Sequence, residues 1–250
     1  MISTPTLPPI REQQGTAVVT PPPRRPRQRG RPSLENGDRL NRVEFERRYL
    51  ARPDIKRAEL IEGVVHMPSP IRFEEHSEPH GHIATWLGTY KALTPGVRLG
   101  GNATLRLDMD NELEPDALLR LEPQLGGKSY VTADGYLAGA PELIVEVAAS
   151  SVSYDLHDKL HAYRRNGVQE YLVLIVDEEE VRWHVLEGGE YHVLRPDQQG
   201  VLHSRVFPGL WLQPDLFWAD DLAGLLAVLD QGLQSPEHTA FVAKLSMERG

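Results

Sequence analysis

In the stretch APELIVEVAASSVSYDLHDKL, residues 140–160, a single acid interrupts a strand-like apolar run: Glu146 follows Leu143, Ile144 and Val145 and precedes Val147. Burying an unpaired carboxylate costs roughly 3 kcal/mol or more, so such a position argues for a task. Side chains alternate along a strand, which sets Ile144 and Glu146 on one face and Leu143, Val145 and Val147 on the other. By the same parity Asp116, in EPDALLRL, shares a face with Leu118 and Arg120. If these strands are neighbours, two carboxylates converge. Such a pair shares a proton or binds a hard cation, and magnesium suits it, since it takes one or two carboxylates and keeps several waters. The helix after Glu146 supplies a third group. Leu156, Lys159, Leu160 and Tyr163 fall at i, i+3, i+4 and i+7, which places Lys159 on or beside the face that packs on the sheet. A lysine beside two carboxylates and a metal can orient a water nucleophile or stabilise charge on a phosphate. Each residue also has a structural reading: Glu146 as partner of a buried arginine, Asp116 as a turn residue after proline, Lys159 as a snorkelling lysine paired with Asp155. One shared site accounts for all three together.

Several elements must position these groups. In DRLNRVEFERRYLARP, Leu40, Val43 and Leu50 fall on one helical face with Phe45 and Tyr49 beside it, and Pro53 stops the helix. AELIEGVVHM reads as two short strands about a turn at Glu62-Gly63. SEPHGHIATWLGTYKAL reads as a helix capped by Ser77, with Pro79 in its first turn and Ile83, Trp86, Leu87 and Tyr90 on its buried face. NATLRLD and EPDALLRL are expected to pair as antiparallel strands around the loop DMDNE. PELIVEV is a strand, and DLHDKLHAYRRNG a helix capped by Asp155 and ended by Gly167. EYLVLIVD reads as a buried strand and VRWHVLEGGEYHVL as a hairpin on Gly188-Gly189. Amphipathic helices around DLAGLLAVL and SPEHTAFVAKL follow. This order predicts a mixed α/β sheet flanked by helices.

The composition sets limits. Of 250 residues, 40% are hydrophobic and 25% charged, enough to bury a core, and no cysteine is present for disulfides or thiolate ligands. No apolar run reaches the roughly 18 residues that span a bilayer, and the first residues lack a signal-peptide core, so the expected location is cytoplasmic. The net charge of −9 argues against a protein that coats nucleic acid. The charge is uneven: Arg24, Arg25, Arg27, Arg29 and Arg31 lie in one tract, and without those five the remaining 22 basic residues face 36 acidic ones. Residues 1–37, rich in proline and arginine, are expected to be a disordered tail. Residues 38–214 form the expected main domain and 215–250 a C-terminal helical extension.

Three further clusters carry weaker signals. His76, His80 and His82 are close in sequence, but no HExxH pattern accompanies them, and a structural or loop role is the leading reading. DMDNE alternates Asp108, Asp110 and Glu112, yet Leu113 stands where a calcium loop needs glycine, so a solvated hairpin tip is expected. Arg29-Gly30-Arg31-Pro32 resembles the core of an AT-hook, an extended segment whose arginines can lie in a narrow A·T minor groove. Chance within an arginine-rich tract is the leading explanation.

The ordered set EPD, PELIVEV and YDLHDKLHAYRRNGVQEYLV, with AELIEGVVHMPSP, NATLRL and VFPGLWL, resembles the Uma family of restriction-endonuclease-like proteins, within the PD-(D/E)xK nuclease superfamily. The likeness runs from about Leu40 to Pro214. It implies a restriction-endonuclease-like fold and a Mg²⁺- or Mn²⁺-dependent endonuclease acting on DNA. Pro115-Asp116 matches the PD, Glu146 the second acid, and the carbonyl of Val147 becomes a further metal ligand. The superfamily's lysine position holds Ala148 here; in the Uma family the lysine moves to the next helix in a D-x-x-x-K pattern, which Asp155 to Lys159 resembles. Ala149-Ser150-Ser151 replaces the usual S-P-S. The same likeness makes Glu62 and His80 auxiliary site residues. Cutting both strands with one site per chain calls for two subunits, hence an expected homodimer. The alternative is a catalytically inactive nucleic-acid-binding or partner-binding module on the same fold.

Overall fold

The computed structural model describes residues 32–248. Its central element is the strand Leu143–Ala148, every residue of which is buried. It pairs in parallel with Glu170–Ile175 and antiparallel with Ala117–Leu121. Val97–Gly100 extends the sheet beyond Ala117–Leu121, and the hairpin Glu180–Glu187/Glu190–Val193 extends it on the other side. A parallel pair needs a crossover, and the helical segment between Val152 and Asn166 supplies it.

Strand parity divides the core as alternation requires. Leu143, Val145 and Val147 face a large cluster with Ile83, Trp86, Leu87 and Tyr90 of helix Glu78–Leu93. Leu225, Leu229, Leu233 and Leu245 from the C-terminal helices Leu222–Leu233 and Pro236–Glu248 join the same cluster. The C-terminal helices therefore share the sheet's own core. Gly209, with φ of +84°, and Gly232 lie so close that a Cβ on Gly232 would stand 2.3 Å from the Gly209 carbonyl oxygen, which locks that helix onto the chain before it. On the opposite face, Ile144 and Ala148 meet Tyr163, Val168, Leu105, Leu113 and Ile61. Each fully buried large side chain contributes roughly 1.5–3 kcal/mol relative to exposure.

A second sheet covers that opposite face. Its order runs Val64–His66, Glu59–Ile61, Glu112–Leu113, Leu105–Arg106, Leu137–Ala138, Tyr130–Val131. Here the expected pairing is corrected. Leu105–Arg106 pairs with Glu112–Leu113 around the acidic loop, whereas Ala117–Leu121 belongs to the main sheet. The chain from Glu112 to Leu121 thus contributes to two sheets, with Pro115 at the break. The acidic loop is also more than a solvated tip: Asp108 accepts from Arg165 and Asn166 Nδ2, each at 2.8 Å.

Three helix expectations change. In Arg42–Leu50 the buried face carries Phe45, with Tyr49 stacked on it at 5.5 Å, while Val43 and Leu50 are 61% and 75% exposed. Ser77 makes no cap; it ends a π-helical turn, Phe73–Ser77, that runs directly into the next helix. Asp155 likewise makes no cap and opens a second π-helical turn, Asp155–Lys159, inside the crossover. Gly167 ends that helix in the left-handed conformation, as expected.

Of the expected tail, residues 1–31 lie outside the described residues. Residues 32–37 pack onto the body: Leu34 is 2% exposed in a cluster with Phe45, Ala58, Leu60 and Val65, and Gly37 N–H donates to the Val65 carbonyl. No described helix is long and apolar enough to cross a membrane.

Candidate active site

The end of strand Ala117–Leu121 creates the site. Antiparallel pairing stops at Ala117 opposite Val145, because Pro115 has no N–H to continue it and its carbonyl accepts from Asn102 N–H at 3.1 Å. Val147 N–H, left without a strand partner on that side, donates instead to Asp116 Oδ2 at 2.8 Å. In a strand the N–H and C=O of one residue point to the same edge, so the Val147 carbonyl faces Asp116 as well. Asp116 is 3% exposed.

Glu146, 2% exposed, projects toward the crossover helix. Its Oε1 accepts from Lys159 Nζ at 3.0 Å and from Tyr163 Oη at 2.8 Å. The ammonium of Lys159 is itself only 6% exposed and is enclosed by further acids: Asp155 Oδ1 lies at 3.3 Å and Glu59 Oε1 at 3.7 Å. Ser151 Oγ donates to Asp155 Oδ2 at 2.5 Å, and Tyr171 Oη donates to the Asp155 carbonyl. Glu59 is fixed by the Glu114 N–H at 2.7 Å. The wider π-helical turn Asp155–Lys159 sets Asp155 and Lys159 facing each other inside the core.

The electrostatics follow from burial and count. Burial pushes Glu146 well above the usual carboxylate range; Lys159 opposes this, while Asp116, Asp155 and Glu59 push the same way. Burial likewise raises Asp155 against the pull of Lys159 and Ser151. Burial works against Asp116 too, but His76, the Val147 N–H and Lys159 outweigh it and hold the carboxyl below its ordinary value. For Lys159, burial favours loss of the proton, and Glu146, Glu59 and Asp155 together raise it well above normal. One ammonium thus faces an excess of carboxylates.

Asp116, Glu146, Val147 and Lys159 all line one cleft of about 660 Å³, together with Glu59, Arg57, His66, His76 and Tyr154. The hydrogen bonds of the two carboxylates run to Asp116 Oδ2 and Glu146 Oε1. Asp116 Oδ1 and Glu146 Oε2 have no protein partner among the described residues. Among those residues no group of three or more His, Asp or Glu is placed to hold a metal ion. A divalent ion here would rest on the two unengaged carboxylate oxygens and the Val147 carbonyl. That sparse, hard-oxygen set fits magnesium, which retains waters for its remaining positions.

The auxiliary residues separate. His80 Nε2 lies 3.0 Å from the Asp116 carbonyl oxygen and so touches the backbone of the site, outside the cleft lining. Glu62 occupies the hairpin turn with φ of +49°, paired to Arg165 at 3.0 Å and His161 at 3.3 Å, and does not line the cleft. His76 does: its Nε2 meets Asp116 Oδ2 at 3.2 Å. His82 turns away toward Asp220. Arg29 and Arg31 lie outside the described residues. Sequence reasoning assigned neither Glu59 nor Tyr163 to the site. Helical spacing puts Tyr163 on the face of Lys159, without showing that its hydroxyl meets Glu146, and nothing local marks Glu59.

Comparison with known proteins bears on this geometry. The model of the Uma2 family, described as "Putative restriction endonuclease", matches residues 42–217, well over half of the chain. The chain belongs to the Uma2 family. Within the match lie the strand break at Asp116, the central strand and the crossover helix. Comparison with curated proteins finds no match. Among solved structures, the chain is similar to a crystal structure of a "putative nuclease belonging to DUF820" from Anabaena variabilis, with 16% identity and a TM-score of 0.49. That likeness covers 65% of this chain and 89% of the other.

Proposed function

We propose that this chain is a divalent-metal-dependent endonuclease that hydrolyses phosphodiester bonds of DNA. The observation that carries the reading is the pair Asp116 and Glu146 at a strand break, each buried with one oxygen unengaged, in a cleft shared with Lys159. Membership of a family described as "Putative restriction endonuclease" supports the same chemistry.

Asp116, Glu146 and the Val147 carbonyl would hold Mg²⁺ or Mn²⁺. When bound, such an ion lowers the pKa of water and neutralises phosphate charge. The protein's own groups do the rest. Lys159, ion-paired with Glu146, Asp155 and Glu59, serves in this reading as a hydrogen-bond donor. From the helix it holds the attacking water or a phosphate oxygen in place. Water adds its oxygen to phosphorus and gives up a proton to solvent, the bond to the leaving ester oxygen breaks, and that oxygen takes up a proton from solvent to leave as the alcohol. Tyr163 and Lys159 fix one oxygen of Glu146, and Val147 N–H and His76 fix one of Asp116, so each carboxylate presents its other oxygen without reorganising. Cleavage of both strands would take two copies of the chain.

The test is nicking of supercoiled plasmid. Activity is expected with Mg²⁺ or Mn²⁺, lost with EDTA, and reduced roughly a hundredfold or more in Glu146→Ala. Undiminished cleavage by Glu146→Ala would sink the assignment.

A further inference from the structure

The candidate cleft contains three side-chain cations besides its histidines: Lys159, Arg72 and Arg57. They are not equivalent. Lys159 is enclosed by Glu146, Asp155 and Glu59. Arg72 is 75% exposed and paired with Glu75 on its own turn, an arrangement that fixes little. Arg57 is held at two points by one residue. Its Nε donates to Glu114 Oε2 at 3.2 Å and its Nη2 to the Glu114 carbonyl at 2.9 Å. Its Nη1 makes no hydrogen bond among the described residues. The side chain is 25% exposed and lines the cleft.

Arg57 also lies electrically within the site. Burial favours its neutral form, but Glu59, Asp116, Glu114 and Glu146 act on it in the opposite sense and keep it charged. A polyanion entering a cleft lined by Glu59, Glu75, Asp116 and Glu146 meets repulsion, and it needs a fixed cation to seat a phosphate. A guanidinium already oriented through two of its nitrogens loses little freedom on forming one more charge-assisted bond.

Resting on the nuclease reading, we infer that Arg57 is a phosphate-contacting residue: Nη1 donates to a non-bridging oxygen of the substrate's phosphodiester backbone at the cleft. Glu114 is its positioning partner. The substrate is thereby held by its phosphate, independent of base identity.

The test uses the full chain and a short fluorescein-labelled DNA duplex, with Ca²⁺ replacing Mg²⁺ for binding and Mg²⁺ present for cleavage. Binding is followed by anisotropy across a salt series for the wild type, Arg57→Ala and Arg57→Lys. Arg57→Ala is expected to weaken binding roughly ten- to a hundredfold. It should also flatten the slope of log affinity against log salt by about 0.9, the mark of one lost phosphate contact. kcat/KM should fall in parallel, and Arg57→Lys should keep the slope while recovering part of the affinity. A purely structural role would lower the melting temperature of Arg57→Ala and leave the salt slope unchanged, and that result overturns the inference. So does unchanged binding with unchanged cleavage. A wild type that binds DNA with the Arg57-dependent slope but never cuts it overturns the nuclease reading while upholding the phosphate contact. A wild type that binds no DNA overturns both.

Discussion

Glu146, Asp155, Glu59 and Lys159 are stable as a set and costly as fragments. A buried ion pair broken on one side leaves an uncompensated charge, typically a loss of about 3–5 kcal/mol. Here the single ammonium serves three buried carboxylates, so the asymmetry is sharper than in a simple pair. Lys159→Met is expected to lower unfolding free energy by about 3 kcal/mol or more, read from urea denaturation. Adding Glu146→Gln should restore part of that loss, because the amide needs no counter-charge and can still meet Tyr163. Equal destabilisation in the single and double variants would show that the two side chains are not coupled.

At the scale of elements, two discontinuities build the cleft: the strand break at Pro115 and the π-helical turn at Asp155–Lys159. The strand beside Glu146 is anchored at its start by another buried acid. Glu170 accepts from Ser204 Oγ and Arg205 N–H, each at 2.7 Å, and so ties strand Glu170–Ile175 to the chain at 204–206. Burial raises its pKa from 4.5 to about 7, partly opposed by Ser204 and the backbone N–H groups of Arg205 and Val206. The folded protein then binds this proton more tightly than the unfolded chain does. The associated stability is full below pH 4.5 and is lost as pH rises through about 7. Glu170→Gln should therefore gain melting temperature relative to the wild type across that window and match it at lower pH. A difference between the two proteins that stays constant with pH would remove Glu170 from the linkage.

For the whole molecule, charge separates along the sequence. The arginine tract at 24–31 holds five of the chain's 27 basic residues, while the remainder carries a strong acidic excess. An acidic body gains no general attraction to a polyanion. On the proposed nuclease reading, the tract with Arg29 and Arg31 would be the source of long-range affinity. Arg29→Ala with Arg31→Ala is expected to weaken duplex binding and to lower the salt slope by up to about 2, measured by anisotropy. Binding identical to the wild type would reduce the Arg-Gly-Arg segment to a compositional accident.

Much of the site's direction was written locally. Alternation alone put Glu146 opposite Val145 and Val147, and helical spacing alone turned Lys159 toward the sheet, because period-2 and period-3.6 patterns are fixed by backbone geometry. The strand break at Pro115 also has a local cause, since a missing N–H is a property of the residue itself, yet the sequence reading runs a strand through it. What escaped local reading was every choice between partners. The sequence could not say that NATLRL and EPDALLRL go to different sheets, that Phe45 and not Val43 faces inward, or that Asp155 sits inside a helix facing Lys159 rather than at its cap. Nor could it say that Glu59, 100 residues away from Lys159, completes the ammonium's surroundings while nearby Glu62 turns out to Arg165. Those outcomes depend on which apolar faces bury against each other and where desolvated charges then find counter-charges. Such energies exist only once distant segments are brought together.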